Sequence, residues 1–152
     1  MDASAQPHSV VLDGKVSLDH CVIASTDLDR TDAFYEAVFG ATIEKPLPLF
    51  RQYRVGAQMI NVHGPGLPEL APPELVARRP VQPGNSDLCF AWDGSEAELL
   101  HHLCTCGVVI TVGPEQRTGA RGPGTSYYFR DPDGSLLEFI IYGHEDHEQA
   151  RM

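Results

Sequence analysis

Basic residues are scarce in this chain: 11 Lys and Arg stand against 21 Asp and Glu, for a net charge of −10 and a pI near 5.0. Such a balance repels a phosphate backbone or an anionic bilayer on average, so neither nucleic acid nor a membrane is an expected partner. Long apolar runs are lacking too. No stretch approaches the roughly 20 residues of a membrane span, and the opening MDASAQPHSVVLDGK has neither the basic start nor the apolar run of a secretory signal. The expected location is the cytoplasm. Cysteine is sparse, at 4 residues. Cys21 and Cys89 fall in apolar strand-like runs and Cys104 and Cys106 near a helix end, which suits small buried hydrophobes better than a disulfide framework. The cluster HHLCTC at 101–106 has the residue types of a zinc site but not the spacing. On one helix His101 and Cys104 share a face while Cys106 points away, and no Cys-x-x-Cys pair is present.

What is present is enough apolar content, 42% of 152 residues, for one globular domain. At this length folding buries roughly 68–70% of the unfolded surface. The organisation is a weak internal repeat. His20-Cys-Val-Ile-Ala reads as a strand. Asp27 or Asp29 then caps a helix whose apolar positions Leu28, Phe34, Tyr35, Val38 and Phe39 recur at helical spacing until Gly40. In the second half Asp87-Leu-Cys-Phe-Ala reads as a strand, Ser95 with Glu98 as a capping box, and Leu99, Leu100 and Leu103 as a helix ending at Gly107. FGATI at 39–43 and CGVVI at 106–110 hold the same phase, each predicting a strand. Two further strands follow in each half, at 50–55 and 57–63 and at 125–130 and 135–142.

These readings divide the chain into a disordered N-terminal tail at 1–15, a first βαβββ module at 16–63, a connector at 64–85, a second module at 86–142 and a charged tail at 143–152. The connector is too rich in proline for a continuous regular element and is expected to lie over the surface. His144 and His147 fall in the charged tail and are read as solvated. A βαβββ unit alone cannot cover both faces of its sheet. Two copies can, if each helix covers one sheet face and the other faces combine into a hollow suited to a ligand.

In SYYFRDPDGSLLEF, residues 126–139, two strands flank the turn Asp131-Pro132-Asp133-Gly134. Glu138 stands there on the strand face opposite Leu137, Phe139 and Ile141. A carboxylate in that setting needs a cation or a hydrogen-bond donor to offset its desolvation. A salt bridge to Arg130 or Arg51 is one way to supply it.

The pattern Leu18-Asp-His-Cys-Val-Ile with DLDRTDAFYEAVFGATI, together with TSYYFRDPDGSLLEFI, resembles the vicinal oxygen chelate superfamily over about residues 17–142. That superfamily includes glyoxalase I, fosfomycin-resistance thiol transferases, methylmalonyl-CoA epimerase, extradiol dioxygenases and bleomycin-binding proteins. INVHGPG, RRPVQPGNSDLCF and GPEQRTGARGP are most similar to its glyoxalase domain-containing protein 5 or virulence-type group. The resemblance implies an α+β fold in which two paired βαβββ modules form a cupped, mostly antiparallel sheet. It also implies a divalent metal at the bottom of the cup, held by residues of both halves.

Strand alternation puts His20, Asn61, His63, Asp87 and Glu138 on the face away from the helices, where such ligands belong. The superfamily motif carries over to His20 and Glu138. At the other positions this chain has Asp87 in place of a second His, and Asn61 in place of the carboxylate of glyoxalase I. Two sets remain open: His20, His63 and Glu138, suited to Fe, Zn, Ni, Co or Mn and narrowly preferred, or His20, Asp87 and Glu138, a harder site favouring Mn or Mg. The same alternation makes Ser126, Tyr128 and Arg130 substrate contacts, with Arg51 and Tyr53 on the opposite wall, Asn61 beside them and Arg117 closing from a Gly/Pro-rich loop at 113–124. Tyr128 matches a position that touches substrate in the fosfomycin-resistance relatives.

The implied function is that of a metal-dependent glyoxalase-like lyase or isomerase. It would chelate a small oxygenated substrate, stabilise a developing oxyanion and use Glu138 or Asp87 for proton transfer. The alternatives are an Fe(II) extradiol-type dioxygenase, or a metal-free ligand-binding protein of the bleomycin-resistance kind. A homodimer is the expected assembly.

Overall fold

The computed structural model describes residues 15–143. The N-terminal tail up to residue 14, and the charged tail from 144 with His144 and His147, lie outside the described residues. Two βαβββ modules are observed. The first comprises β1 (His20–Ala24), α1 (Leu28–Phe39), β2 (Thr42–Leu47), β3 (Phe50–Val55) and β4 (Gln58–His63). The second comprises β5 (Asp87–Ala91), α3 (Glu96–Thr105), β6 (Val112–Gly119), β7 (Gly122–Arg130) and β8 (Leu136–Tyr142). The connector contains one turn of helix, α2 (Leu67–Leu70), and a 3-10 turn at Pro73–Leu75. Among the described residues no helix is long and apolar enough to cross a membrane.

Each module forms a four-stranded sheet, in the orders β1-β4-β3-β2 and β5-β8-β7-β6. The first strand of each module runs parallel to the last and the remaining pairs are antiparallel. Helix ends follow the local chemistry. The Asp27 side chain accepts from Arg30 N and Gly40 closes α1 at φ 61°, a left-handed conformation that glycine adopts without strain. Ser95 and Glu98 form the expected capping box on α3.

One hydrophobic core serves both modules. Ile23, Tyr35, Val38, Tyr53, Ile60 and Val62 of the first join Leu99, Leu103, Tyr127, Phe129, Leu137 and Phe139 of the second. Phe39, at the end of α1, packs its ring 4.3 Å from that of Phe90 and 5.2 Å from that of Phe139. Helix α1 therefore covers part of the second sheet as well as its own, more than one sheet face per helix. Polar contacts reinforce the junction. Asp133 of the Asp131–Gly134 turn accepts from the Thr26 hydroxyl, from Thr26 N at 3.2 Å and from Arg30 Nη2 at 3.0 Å. Asp131, buried beside it, accepts from Tyr35 Oη at 3.2 Å. The turn between β7 and β8 thus ties the start of α1 to the second module.

Two expectations change here. Residues 108–111, predicted as a strand on the strength of CGVVI, are irregular. Val108 N bonds back to Leu103 O at 2.9 Å, completing the helix end, and pairing with β7 begins at Thr111. The segment 113–124, read as a loop from its glycines and prolines, is mostly the β6–β7 hairpin, so Arg117 stands on a strand opposite Gly124.

Candidate metal centre

Strand register decides which candidate ligands are neighbours. On β1 and β4, His20 faces Met59, Val22 faces Asn61 and Ala24 faces His63. His63 is thus displaced from His20 by four residues along the sheet, about 13 Å at strand rise. Imidazoles standing side by side at that separation do not share one ion. His63 instead lines a small cavity with Ser25, Gly64 and Pro80–Pro83, where burial lowers its pKa and keeps the ring neutral at pH 7. The set His20, His63 and Glu138 is not assembled.

In the second half Asp87 faces Leu136 and Cys89 faces Glu138, while Tyr128, Arg130 and Ser126 of β7 face Glu138, Leu136 and Ile140. Asp87, Cys89, Ser126, Tyr128, Arg130 and Glu138 therefore share one face. The registers also align the two halves internally: His20 is the counterpart of Asp87, and Asn61 of Glu138. Asn61 accepts from Gln52 Nε2 at 3.3 Å.

Glu138 has neither of the basic partners considered for it. Arg130 Nη1 donates to Gly134 O at 3.2 Å, and Arg51 Nε donates to Asp32 Oδ2 at 3.1 Å. The Glu138 carboxylate instead accepts from the Ser126 hydroxyl, with the Cys89 thiol next to it at the paired register position. Burial of the sulfur, the Glu138 charge and hydrogen bond, and the Asp87 charge push the Cys89 thiol up to about 12. Cys89 thus stays protonated beside the carboxylate.

On the first sheet, the carboxylate of Asp19 lies 2.7 Å from His20 Nδ1. Both side chains are open to solvent, 86% and 43% exposed, so the contact contributes little to stability, but it occupies one ring nitrogen and leaves Nε2 free. A carboxylate behind an imidazole is the usual second partner of a metal-binding histidine. Asp19 and Cys89 are the neighbours of the candidate ligands that sequence reasoning missed. Adjacency to His20 was the only signal for Asp19, and Cys89 was read as a buried hydrophobe.

The other substrate candidates divide. Arg117 Nε donates to Tyr128 Oη at 3.1 Å, with the guanidinium 5.7 Å from the ring centroid, so these two form a pair beside Glu138. Arg51 and Tyr53, expected on the wall of the hollow, point the other way. Gln52 pairs with Asn61, so Phe50, Gln52 and Arg54 occupy that face, while Arg51 and Tyr53 bind Asp32 of α1 beneath the sheet. Ser126 is fully buried, at 0% exposure, and cannot touch a substrate directly.

A cleft of 630 Å³ separates the edge strands β1 and β5, with His20 and Met59 on one wall and Cys89, Phe90 and Trp92 on the other. Among the described residues, however, no three His, Cys, Asp or Glu side chains converge to hold a metal. The donor chemistry suits a divalent ion: an imidazole with a carboxylate behind it on one sheet, and a half-buried carboxylate with a second beside it on the other.

The profile of the Glyoxalase/Bleomycin resistance protein/Dioxygenase superfamily matches residues 17–139. The glyoxalase domain-containing protein RDO1 of Mycosarcoma maydis is 41% identical over 130 residues, 83% of this chain and 68% of that protein. Virulence protein STM3117 of Salmonella typhimurium is 38% identical over 129 residues, 82% of this chain and 83% of that protein. Its crystal structure superposes with a TM-score of 0.75 at 36% identity, covering 84% of this chain and 98% of the other. The metallothiol transferase FosB of Shouchella clausii is 26% identical over 122 residues, 80% of this chain and 77% of that protein. With its paired βαβββ modules and a match of this extent, the chain belongs to the Glyoxalase/Bleomycin resistance protein/Dioxygenase superfamily.

Proposed function

We propose that the protein is a divalent-metal-dependent enzyme of the glyoxalase type acting on a small oxygenated substrate, with His20, Glu138 and Asp87 as ligands contributed by two copies in a homodimer. The observation that carries this reading is the half-buried Glu138 carboxylate, which accepts from the Ser126 hydroxyl and forms no direct ion pair among the described residues, the Arg117 guanidinium acting on it only at longer range. A cation in direct contact would offset the desolvation that remains. In such a dimer His20 would meet Glu138 and Asp87 of a second copy, completing a ligand group that no three side chains form among the described residues of one chain. A metallothiol transferase among the relatives agrees with a metal-dependent activity.

The set with Asp87 is preferred over the one with His63, because of the β1–β4 register. One imidazole with two carboxylates is a hard site suited to Mn or Mg. It also lacks the two-histidine, one-carboxylate set that a dioxygenase requires. A bound ion of this kind polarises a substrate oxygen and stabilises negative charge developing there. The chain's own groups do the rest. Asp19 holds His20 in one ring orientation, Arg117 and Tyr128 bind the oxygen-rich end of the substrate, and Asp87, exposed on the same face as Glu138, takes a proton.

Metal analysis of the purified protein tests this reading. The wild-type chain is expected to retain or take up Mn(II), His20→Ala to lose that capacity, and a metal-supplemented screen of dicarbonyls, epoxides and catechols to reveal turnover. Equal uptake by wild type and His20→Ala removes the assignment. Tight binding of a cationic drug without any metal uptake would favour the metal-free ligand-binding alternative.

A further inference from the structure

Ser126 was expected to contact substrate, yet its side chain is sealed from solvent. Its hydroxyl lies on β7, one strand from Glu138, and donates to Glu138 Oε1. On the other flank, Cys89 of β5 is the register partner of Glu138, and its thiol faces the same carboxylate. Glu138 thus sits on the middle strand of three, hydrogen-bonded by Ser126 from one neighbour and flanked by a thiol from the other. A glutamate has three side-chain torsions and many rotamers. A donor fixed to the flanking strand selects among them. The requirement is mutual, because without the carboxylate the buried Ser126 hydroxyl would have lost its acceptor.

We infer that Ser126, assisted by Cys89, is a positioning residue that fixes the Glu138 carboxylate in the orientation its ligand role needs. This rests on the reading of Glu138 as a metal ligand. Groups behind a ligand tune its affinity by holding its orientation, and their loss costs about 10–100-fold in metal binding. The cysteine is the weaker neighbour of the two, since S–H is a poor donor. Ser126 acts through Glu138 alone, being sealed from any substrate.

The test is Mn(II) titration of the full-length protein, followed by calorimetry and by the EPR spectrum of the bound ion, with melting temperature measured in parallel. Ser126→Ala is expected to weaken Mn(II) binding about tenfold or more and to broaden the spectrum, with Cys89→Ala producing a smaller loss in the same direction. Ser126→Thr and Cys89→Ser, which keep a hydroxyl donor, should restore near wild-type affinity. If Ser126→Ala does not fold, Ser126→Thr against Ser126→Val decides the matter, because the two match in volume and differ in the donor. Wild-type affinity in Ser126→Ala or Ser126→Val, with binding lost in Glu138→Gln, overturns the inference and leaves the ligand assignment standing. Wild-type affinity in Glu138→Gln overturns the ligand assignment itself, and the inference falls with it.

Discussion

Replacing Asp32 by alanine should destabilise the fold by about 3–5 kcal/mol, the usual result of removing one partner from a buried ion pair. Asp32 projects from α1 beneath the first sheet at 7% exposure, where it accepts from Arg51 Nε at 3.1 Å and from Tyr53 Oη at 2.7 Å. Lys45 Nζ also reaches it at 3.0 Å, but from a half-exposed position that adds little. Alanine would leave the nearly buried Arg51 guanidinium with only the exposed Asp29 carboxylate, at 3.8 Å, as its anion and the fully buried Tyr53 hydroxyl without its acceptor. At about 2–4 °C per kcal/mol for a chain of this size, the melting temperature should fall by roughly 10 °C. Asp32→Asn keeps an acceptor and should cost less.

The same network predicts a pH dependence. Burial alone would raise the Asp32 pKa, but hydrogen bonds from Tyr53, Lys45 and Arg51 outweigh it and bring the group below its ordinary value. A carboxylate with a depressed folded pKa stabilises fully above its unfolded value, about 3.9, and that contribution is lost as pH falls through the folded pKa. The stability difference between wild type and Asp32→Asn should therefore be constant near neutrality and shrink below about pH 4. Denaturant titrations at pH 7 and at pH 3 measure it. A loss under about 1 kcal/mol for Asp32→Ala at pH 7 would mean that the pair is no stronger than a surface contact.

The largest expected effect on activity is that of Glu138→Gln. The amide matches the carboxylate in shape but is a poor ligand and carries no charge. Turnover of whichever substrate the screen identifies should fall by at least about 100-fold, since removing one stabilising group at a developing charge already costs 10²–10³. In metal-free protein the melting temperature should hold or rise, because a half-buried charge with no direct ion-pair partner has been removed, whereas added Mn(II) should raise the melting temperature of the wild type alone. A variant that keeps full activity places the reaction elsewhere.

The comparison between sequence and structure turns on what each residue's neighbours are. Alternation was enough to place Glu138 and His20 on the right faces, because Leu137, Phe139, Cys21 and Ile23 mark the apolar side of β8 and β1 clearly. The caps at Asp27 and Ser95 were equally legible, since capping chemistry is local. In β3 the run Phe-Arg-Gln-Tyr-Arg has no apolar face to read, and the buried side carries an arginine because Asp32 waits on a helix nineteen residues away. His63 failed differently. Its face was right, but the register of β1 against β4 is set by packing through an intervening helix and two strands, and no local signal reports it. The proline and glycine content of 113–124 pointed to a loop, where cross-strand pairing instead made a hairpin. The hollow was expected to gather residues of both halves within one chain, and among the described residues no three candidate ligands converge.

The central claim is that two copies of the chain complete each metal site, with His20 from one and Glu138 from the other. Mixing the inactive His20→Ala and Glu138→Gln variants, dissociating them and reassociating them tests it most directly. In the mixed dimer one site receives both intact residues and the other receives neither. The account predicts that Mn(II) binding returns at one site per mixed dimer, with turnover recovered in proportion. No recovery in a verified mixed dimer would place His20 and Glu138 in the same chain's site, or in no common site at all, and would contradict it.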